Sequence, residues 1–445
     1  MERVRLKSTT TVIPAKSTSR SCLHFLSNFD LLYSELFYDP MVFYFKAGSD
    51  AIDGLKASLS QVLVHYPVLA GRVKAGEDGR LWVDCNDEGI VVIEAVADAR
   101  FDEWNSLIDC PLEKDLNMGS DTVIADYSSA PLLRIQLTTF QCGGLAIGYG
   151  WCHVCIDSPS AIHFMKSWFE LHRGLTISSE PSFDSRLLKA QSPPRITHFV
   201  KDYISISKQH TTEKDAGTAG PSVTTDLQIR TFIVKVDAMN ELLQEVQKGP
   251  WGYERPTSFE CLAALCWKSM TDARNLADDA LTTYSYPVDV RVRWQPSLAS
   301  GFFGNATHLS CVAAKARDIK HSHLSYVAKL LRDDSKAANS GYLHSVVDFL
   351  QTEMDQGKAI GFNSDFYGGR DVQGTDFSVY PIYSMDFGHG QPLHYSFTLD
   401  PMFGDGIAAI FPTPGIAQEF MITISMAASH LQQLLNNPLF KRFLL

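Results

Sequence analysis

Gly148-Tyr149-Gly150-Trp151-Cys152-His153-Val154-Cys155-Ile156-Asp157-Ser158-Pro159 is the stretch on which the reading of this chain turns. An apolar run ends at a polar histidine, and four residues later an aspartate stands before Ser-Pro, a pair that opens helices. Histidine is the side chain best suited to move a proton near neutral pH, so its place where a strand yields to a loop points to a general base in a cleft. A satisfied structural histidine is the plain alternative. These residues alone leave both open.

Outward from His153, Pro131 to Phe140 alternates apolar with polar and meets Gly143-Gly144, a hairpin turn into a second strand, Leu145 to Gly150. Downstream, Ala161, Phe164, Met165, Trp168 and Leu171 mark one helix face closed by Gly174. Upstream, Met41 to Phe45 reads as a buried strand, and Leu55, Leu59, Val62, Leu63 and Tyr66 repeat at helical spacing up to Pro67. Arg80 to Asp84 and Ile90 to Ile93 read as two strands joined by the turn Asn86-Asp87-Glu88-Gly89.

From Ser178 to about Thr225 the chain turns polar and rich in Gly, Thr, Ser and Pro, which predicts a crossover linker over 181–225 between domains at 1–180 and 226–445. In the second half, Ile229 to Val236 reads as a strand and Asp237 as the cap of a helix through Val246. Thr257-Ser258-Phe259-Glu260 has the spacing of a capping box before a helix from Cys261 to Met270. Tyr286 to Arg291 alternates like a strand, Gly301 to Ala306 forms a glycine-bounded loop, and Asp386 to Pro392 a glycine-rich turn.

Composition narrows the function. At 445 residues, 45% hydrophobic and 20% charged, the chain has material for two domains. A net charge of −11 with no Lys/Arg cluster argues against a nucleic-acid partner. No run of about 20 apolar residues predicts a membrane span, and the N-terminal residues do not read as a secretion signal. Nine scattered cysteines form no disulfide or zinc pattern, so the expected home is reducing and cytoplasmic, with no metal. There the sequon Asn305-Ala306-Thr307 would be silent. No GxSxG elbow appears, which excludes a common serine hydrolase class.

Together, His153 to Asp157 (HxxxD) and Asp386 to Gly390 (DFGHG, against DFGWG), with Tyr66 to Arg72 (YPVLAGR), Ser258-Phe259-Glu260, Val288 to Arg291 and Gly304-Asn305-Ala306, resemble the plant BAHD acyl-CoA-dependent acyltransferases, among them the hydroxycinnamoyltransferases, over essentially the whole chain. The resemblance implies an α/β fold of two chloramphenicol-acetyltransferase-like domains, mixed β-sheets flanked by helices, with an active-site channel at their interface and a segment near 386–406 crossing back to the first domain. It implies His153 as catalytic base in direct transfer from an acyl-CoA co-substrate to a hydroxyl of a plant metabolite, with no cofactor and a monomeric enzyme. An amine acceptor, or a member that binds metabolites without turnover, are the alternatives.

The resemblance further implies an ion pair of Asp157 with Arg291 that shapes the site, a structural turn held by Asp386, Gly388 and Gly390, and CoA contacts near Arg255 and Ser258. Two departures stand out: Ser158 replaces the glycine of HxxxDG, and His389 replaces the tryptophan of DFGWG. His389 then either packs within the turn, the favoured reading, or lines the acceptor channel and alters acceptor choice.

Overall fold

The computed structural model describes residues 3–18, 22–33, 38–77, 79–101, 111–117, 128–206, 226–252, 254–365, 369–397 and 404–444. The chain divides into two compact units. The first comprises Met1–Lys189, Pro296–Ala306 and Tyr380–Thr398; the second comprises Ala190–Gln295, Thr307–Val379 and Leu399–Leu445.

In the first unit, β1 (Val4–Val12), β2 (Leu23–Phe25), β3 (Tyr38–Phe45), β4 (Arg72–Ala75), β5 (Leu81–Asp84), β6 (Ile90–Ala97), β7 (Leu133–Phe140) and β8 (Leu145–Cys152) accompany helices α1 (Asn28–Leu31), α2 (Ile52–Val62) and α3 (Ser158–His172). The main sheet runs β1-β6-β7-β8-β3 and closes on β15, His394–Phe397, which pairs antiparallel with β3. Only β6 and β7 run parallel in it.

Strands β3 and β8 are buried along their whole length, which explains why their sequences are near-continuous apolar runs instead of alternating ones. Helices α2 and α3 pack together through Trp168, whose indole Nε1 donates to Leu55 O and Ser58 Oγ, both at 3.1 Å. Gly148 in β8 has no room for a side chain: a Cβ there would stand 2.1 Å from the carbonyl oxygen of Leu116.

The structure differs from the sequence reading at one helix cap and at the domain limits. Strands β5 and β6 are consecutive but do not form one hairpin: β5 joins β2 and β4 in a separate three-stranded sheet, while β6 joins the main one. Asp237 is not a cap, because helix α4 (Val236–Gln247) starts one residue earlier with Lys235 at the cap position and Asp237 in its first turn.

The domain limits also differ from 1–180, 181–225 and 226–445. Residues 296–306 join the first unit, because the 304–306 loop is hydrogen-bonded into it; 380–398 join it too, overlapping the segment near 386–406 expected to cross back, and their β15 completes the sheet. Of the expected linker, 207–225 lies outside the described residues. Residues 190–206 are held by the second unit: Gln191 N and Arg195 N each donate to the Asp348 carboxylate at 2.7 Å, and β9 (Tyr203–Ile206) pairs with β13 (Ala359–Phe362).

The second unit's main sheet runs β10 (Leu227–Val234), β17 (Ile416–Ala427), β16 (Ile407–Thr413), β14 (Val372–Asp376), β11 (Leu281–Asp289) and β12 (Thr307–Lys315) in that order. Its most buried helix is α5 (Ser258–Ala273), whose first turn carries the capping box expected from Thr257 and Glu260. Around it stand α6 (Ala316–His321), α7 (Leu324–Ala337), α8 (Ser340–Asp355), α9 (Ala428–Asn436) and α10 (Pro438–Leu444). Among the described residues, no helix is long and apolar enough to cross a membrane.

Two predictions follow from the first unit's packing. Gly148→Ala forces the Leu116 backbone or β8 to shift and should lower stability by about 1–3 kcal/mol, seen as a lower urea midpoint. His24 and His394 are both buried, and burial pulls each imidazole down to about 4. The folded state thus holds both neutral while the unfolded chain protonates them near 6.5, so stability is full above that pH and is lost as pH falls toward 4. A His24→Gln/His394→Gln variant should show a flatter decline in melting temperature between pH 7 and 4.5 than the parent chain.

Candidate active site

His153 follows the last residue of β8 and precedes the N-terminus of α3, so it stands where the central strand leaves the sheet. Its side chain is 14% exposed. One face of the imidazole stacks on Tyr33, with ring centroids 3.7 Å apart and an interplanar angle of 20°. Its Nε2 lies 3.4 Å from Oδ2 of Asp39 on β3. A ring held this way has little rotational freedom, which suits a group that must meet a proton in one direction.

The backbone around His153 is fixed from two sides. Asp157 is the N-cap of α3 and accepts from Ser160 N at 3.0 Å, while its second oxygen accepts from Ala306 N at 3.0 Å. Ser158, where the related word has glycine, simply begins α3. Asn305 Nδ2 donates to His153 O at 2.7 Å and to Asp30 Oδ1 at 2.8 Å, and the Asn305 N–H donates to that same oxygen at 2.8 Å. Ser160 Oγ reaches Gly304 O and accepts from Gly304 N, both at 3.1 Å. Burial pushes the Asp30 carboxyl up to about 6 despite these donors. Asn305 is fully buried, a physical reason for its sequon to stay unmodified.

The glycine-rich turn lies elsewhere in the same unit. Asp386 Oδ1 accepts from Gly388 N at 2.6 Å and from Gly390 N at 3.0 Å, and both glycines have positive φ, 106° and 97°. Phe387 anchors the turn, edge-on to Phe45 at 4.6 Å. His389 stacks on Phe387 at 5.1 Å and is close enough to His172 to lower its basicity slightly, after the larger effect of burial. His172 ends the 15-residue helix whose N-terminus adjoins His153. His389 is thus separated from His153 by roughly the 20 Å length of α3.

The YPVLAGR word is also structural: the Tyr66 hydroxyl hydrogen-bonds with Ser167 and His163, and Arg72 Nη1 donates to the carbonyls of Gly71 and Gly89.

The remaining expected residues belong to the second unit. Arg291 follows β11, where its N–H and Nη1 both donate to Asp289 Oδ1, at 2.9 and 3.3 Å. Ser258 is the first residue of α5, and Arg255 is exposed just before it, its carbonyl accepting from Arg332.

Asp39 was missed in the sequence. The available signal was a charged residue beside Pro40 in an otherwise apolar strand buried on both faces.

Comparison with known proteins gives the family and the fold. Residues 2–439 match the Transferase family. The chain belongs to the BAHD acyltransferase family. Shikimate O-hydroxycinnamoyltransferase of Nicotiana tabacum is 30% identical over 457 residues, spanning 99% of each chain. A hydroxycinnamoyl-CoA:5-hydroxyanthranilate N-hydroxycinnamoyltransferase of Avena sativa is 29% identical, spanning 97% of this chain and 98% of its own.

The fold is shared with vinorine synthase (TM-score 0.74, 19% identity, 98% of this chain and 97% of that one). It is shared as well with F. graminearum TRI101, solved with coenzyme A and T-2 mycotoxin (TM-score 0.73, 16% identity, 96% and 99%). This BAHD member is thus an acyltransferase moving groups other than amino-acyl groups, with two sheet-rich units flanked by helices.

Asp157→Ala should lower stability by about 2–4 kcal/mol, the sum of a lost helix cap and a buried Ala306 N–H left without its acceptor. Asp157→Asn, which keeps an acceptor oxygen, should lose less; chemical denaturation of the two variants checks the order.

Proposed function

We propose that the protein transfers an acyl group, of aromatic hydroxycinnamoyl type, from a CoA thioester to a hydroxyl of a small acceptor, with His153 as general base. The observation that carries this reading is the seat of His153: partly accessible, clamped by Tyr33 and Asp39, on a loop tied down by Asn305 and Asp157. An alcohol attacks poorly until its proton leaves. For Nε2 to take it, the ring must carry its own proton on Nδ1. The oxygen then adds to the thioester carbonyl, the tetrahedral intermediate collapses with loss of the C–S bond, and the proton passes from Nε2 to the departing sulfur. No acyl-enzyme forms.

Hydroxycinnamoyltransferases among the relatives support the donor class. Transfer to an amine is a second reading, favoured by the N-hydroxycinnamoyltransferase relative. Arg255 and Ser258, at an exposed helix start, are proposed to meet CoA, whose phosphates suit a cation and helical N–H groups. A charge pair between Asp157 and Arg291 belongs to the same proposal and is supported by the family resemblance.

The test is CoA thiol release from acetyl-, malonyl-, benzoyl-, p-coumaroyl- and caffeoyl-CoA with pooled alcohols and amines. Acceptor-dependent release should fall by about 10²–10⁴-fold in a folded His153→Ala variant. Equal release by both proteins removes His153 from the mechanism; CoA-ester binding without any release points to a family member that binds but does not turn over.

A further inference from the structure

One group beside the proposed base moves no proton in that mechanism. Asp39 sits on β3, register-paired with Trp151 of β8, and its side chain is 7% exposed. Among the described residues, its charged partner is the imidazole of His153, Nε2 to Oδ2, 3.4 Å. The other ionisable groups that sense it are Tyr33, Cys152 and Tyr395, all neutral acids at physiological pH. A carboxylate taken out of water without a cation is costly, and burial pushes its carboxyl upward accordingly. The imidazole can supply that cation only with both nitrogens protonated, the form that cannot act as a base.

Geometry ties this carboxylate to the acceptor. A nucleophile whose proton passes to Nε2 must come within about 3 Å of that nitrogen. It therefore lies within roughly 6.5 Å of Asp39 Oδ2, where a charge on the acceptor is weakly screened by water. An acceptor bringing its own positive charge would satisfy the carboxylate and leave His153 neutral. One bringing a carboxylate would double the buried negative charge.

We propose that Asp39 determines acceptor specificity, and that the acceptor carries a protonated nitrogen next to the hydroxyl that is acylated, as an amino alcohol does. This rests on His153 being the base. The ammonium remains paired with Asp39 throughout: the hydroxyl proton goes to Nε2, the C–O bond forms, the C–S bond breaks, and the proton ends on the CoA sulfur.

The test uses three primary alcohols of one skeleton that differ in the group on the carbon beside the hydroxymethyl: phenylalaninol (ammonium), 3-phenylpropan-1-ol (neutral) and 2-benzyl-3-hydroxypropanoate (carboxylate). With the acyl-CoA that supports thiol release, kcat/KM should be at least about tenfold higher for phenylalaninol than for the neutral alcohol, and lowest for 2-benzyl-3-hydroxypropanoate. Asp39→Asn should bring the three together, while Asp39→Glu should preserve their order.

The rise in melting temperature on adding each acceptor ranks binding without turnover. Asp39-dependent preference for phenylalaninol with no thiol release sustains the assignment of Asp39 and overturns the role of His153. Preference for 2-benzyl-3-hydroxypropanoate, no discrimination in either readout, or an unchanged ranking in Asp39→Asn overturns the proposal. If Asp39→Asn fails to fold, the parent and Asp39→Glu rankings decide it.

Discussion

The geometry at His153 depends on a carboxylate that never needs to touch a substrate. Asp157 caps α3 with one oxygen and holds the backbone of Ala306 with the other, so a single side chain joins the helix after the base to a loop almost 150 residues downstream in the chain. Asn305, delivered by that loop, then grips the carbonyl of His153 and the buried carboxylate of Asp30. Each of these groups is buried, and each hydrogen bond replaces one that water would have made. That exchange makes the loss of any partner expensive. His153 is therefore positioned by its backbone as much as by its ring.

The same economy explains the glycine-rich turn. Asp386 accepts from two backbone N–H groups whose glycines adopt positive φ, a conformation that a residue with a Cβ resists. Phe387 plugs the turn into the aromatic cluster beside Phe45 and Phe169, and His389 lies on it as a lid. Since β15 follows a few residues later and pairs with β3, the turn sets where the returning chain meets the first sheet. A residue at position 389 acts on this packing and lies a helix length from the base, which favours the packing reading of its departure from the family word.

Around the imidazole itself the balance is electrostatic. Tyr33 restricts the ring by stacking, and Asp39 places a buried negative charge beside Nε2. Two carboxylates thus flank the His153 loop with different duties: Asp157 accepts from the backbone of Ser160 and Ala306, whereas Asp39 faces the nitrogen where chemistry is proposed. Proximity in space separates their roles, although Asp157 is the nearer in sequence.

Much of this was legible in the chain itself. The apolar run ending at His153, the helix-opening Ser158-Pro159, the Thr257/Glu260 cap and the glycines around His389 are local patterns, and local backbone preferences suffice to produce them. The ordered family words carried the fold class as well. Tertiary structure decided what local patterns cannot encode. It assigned β5 and β6 to different sheets, took 296–306 into the first unit, and brought Asp39, Tyr33 and Asn305 to one histidine. Those outcomes depend on pairings between residues up to several hundred positions apart, and periodicity along a chain carries no record of which buried donor will meet which acceptor.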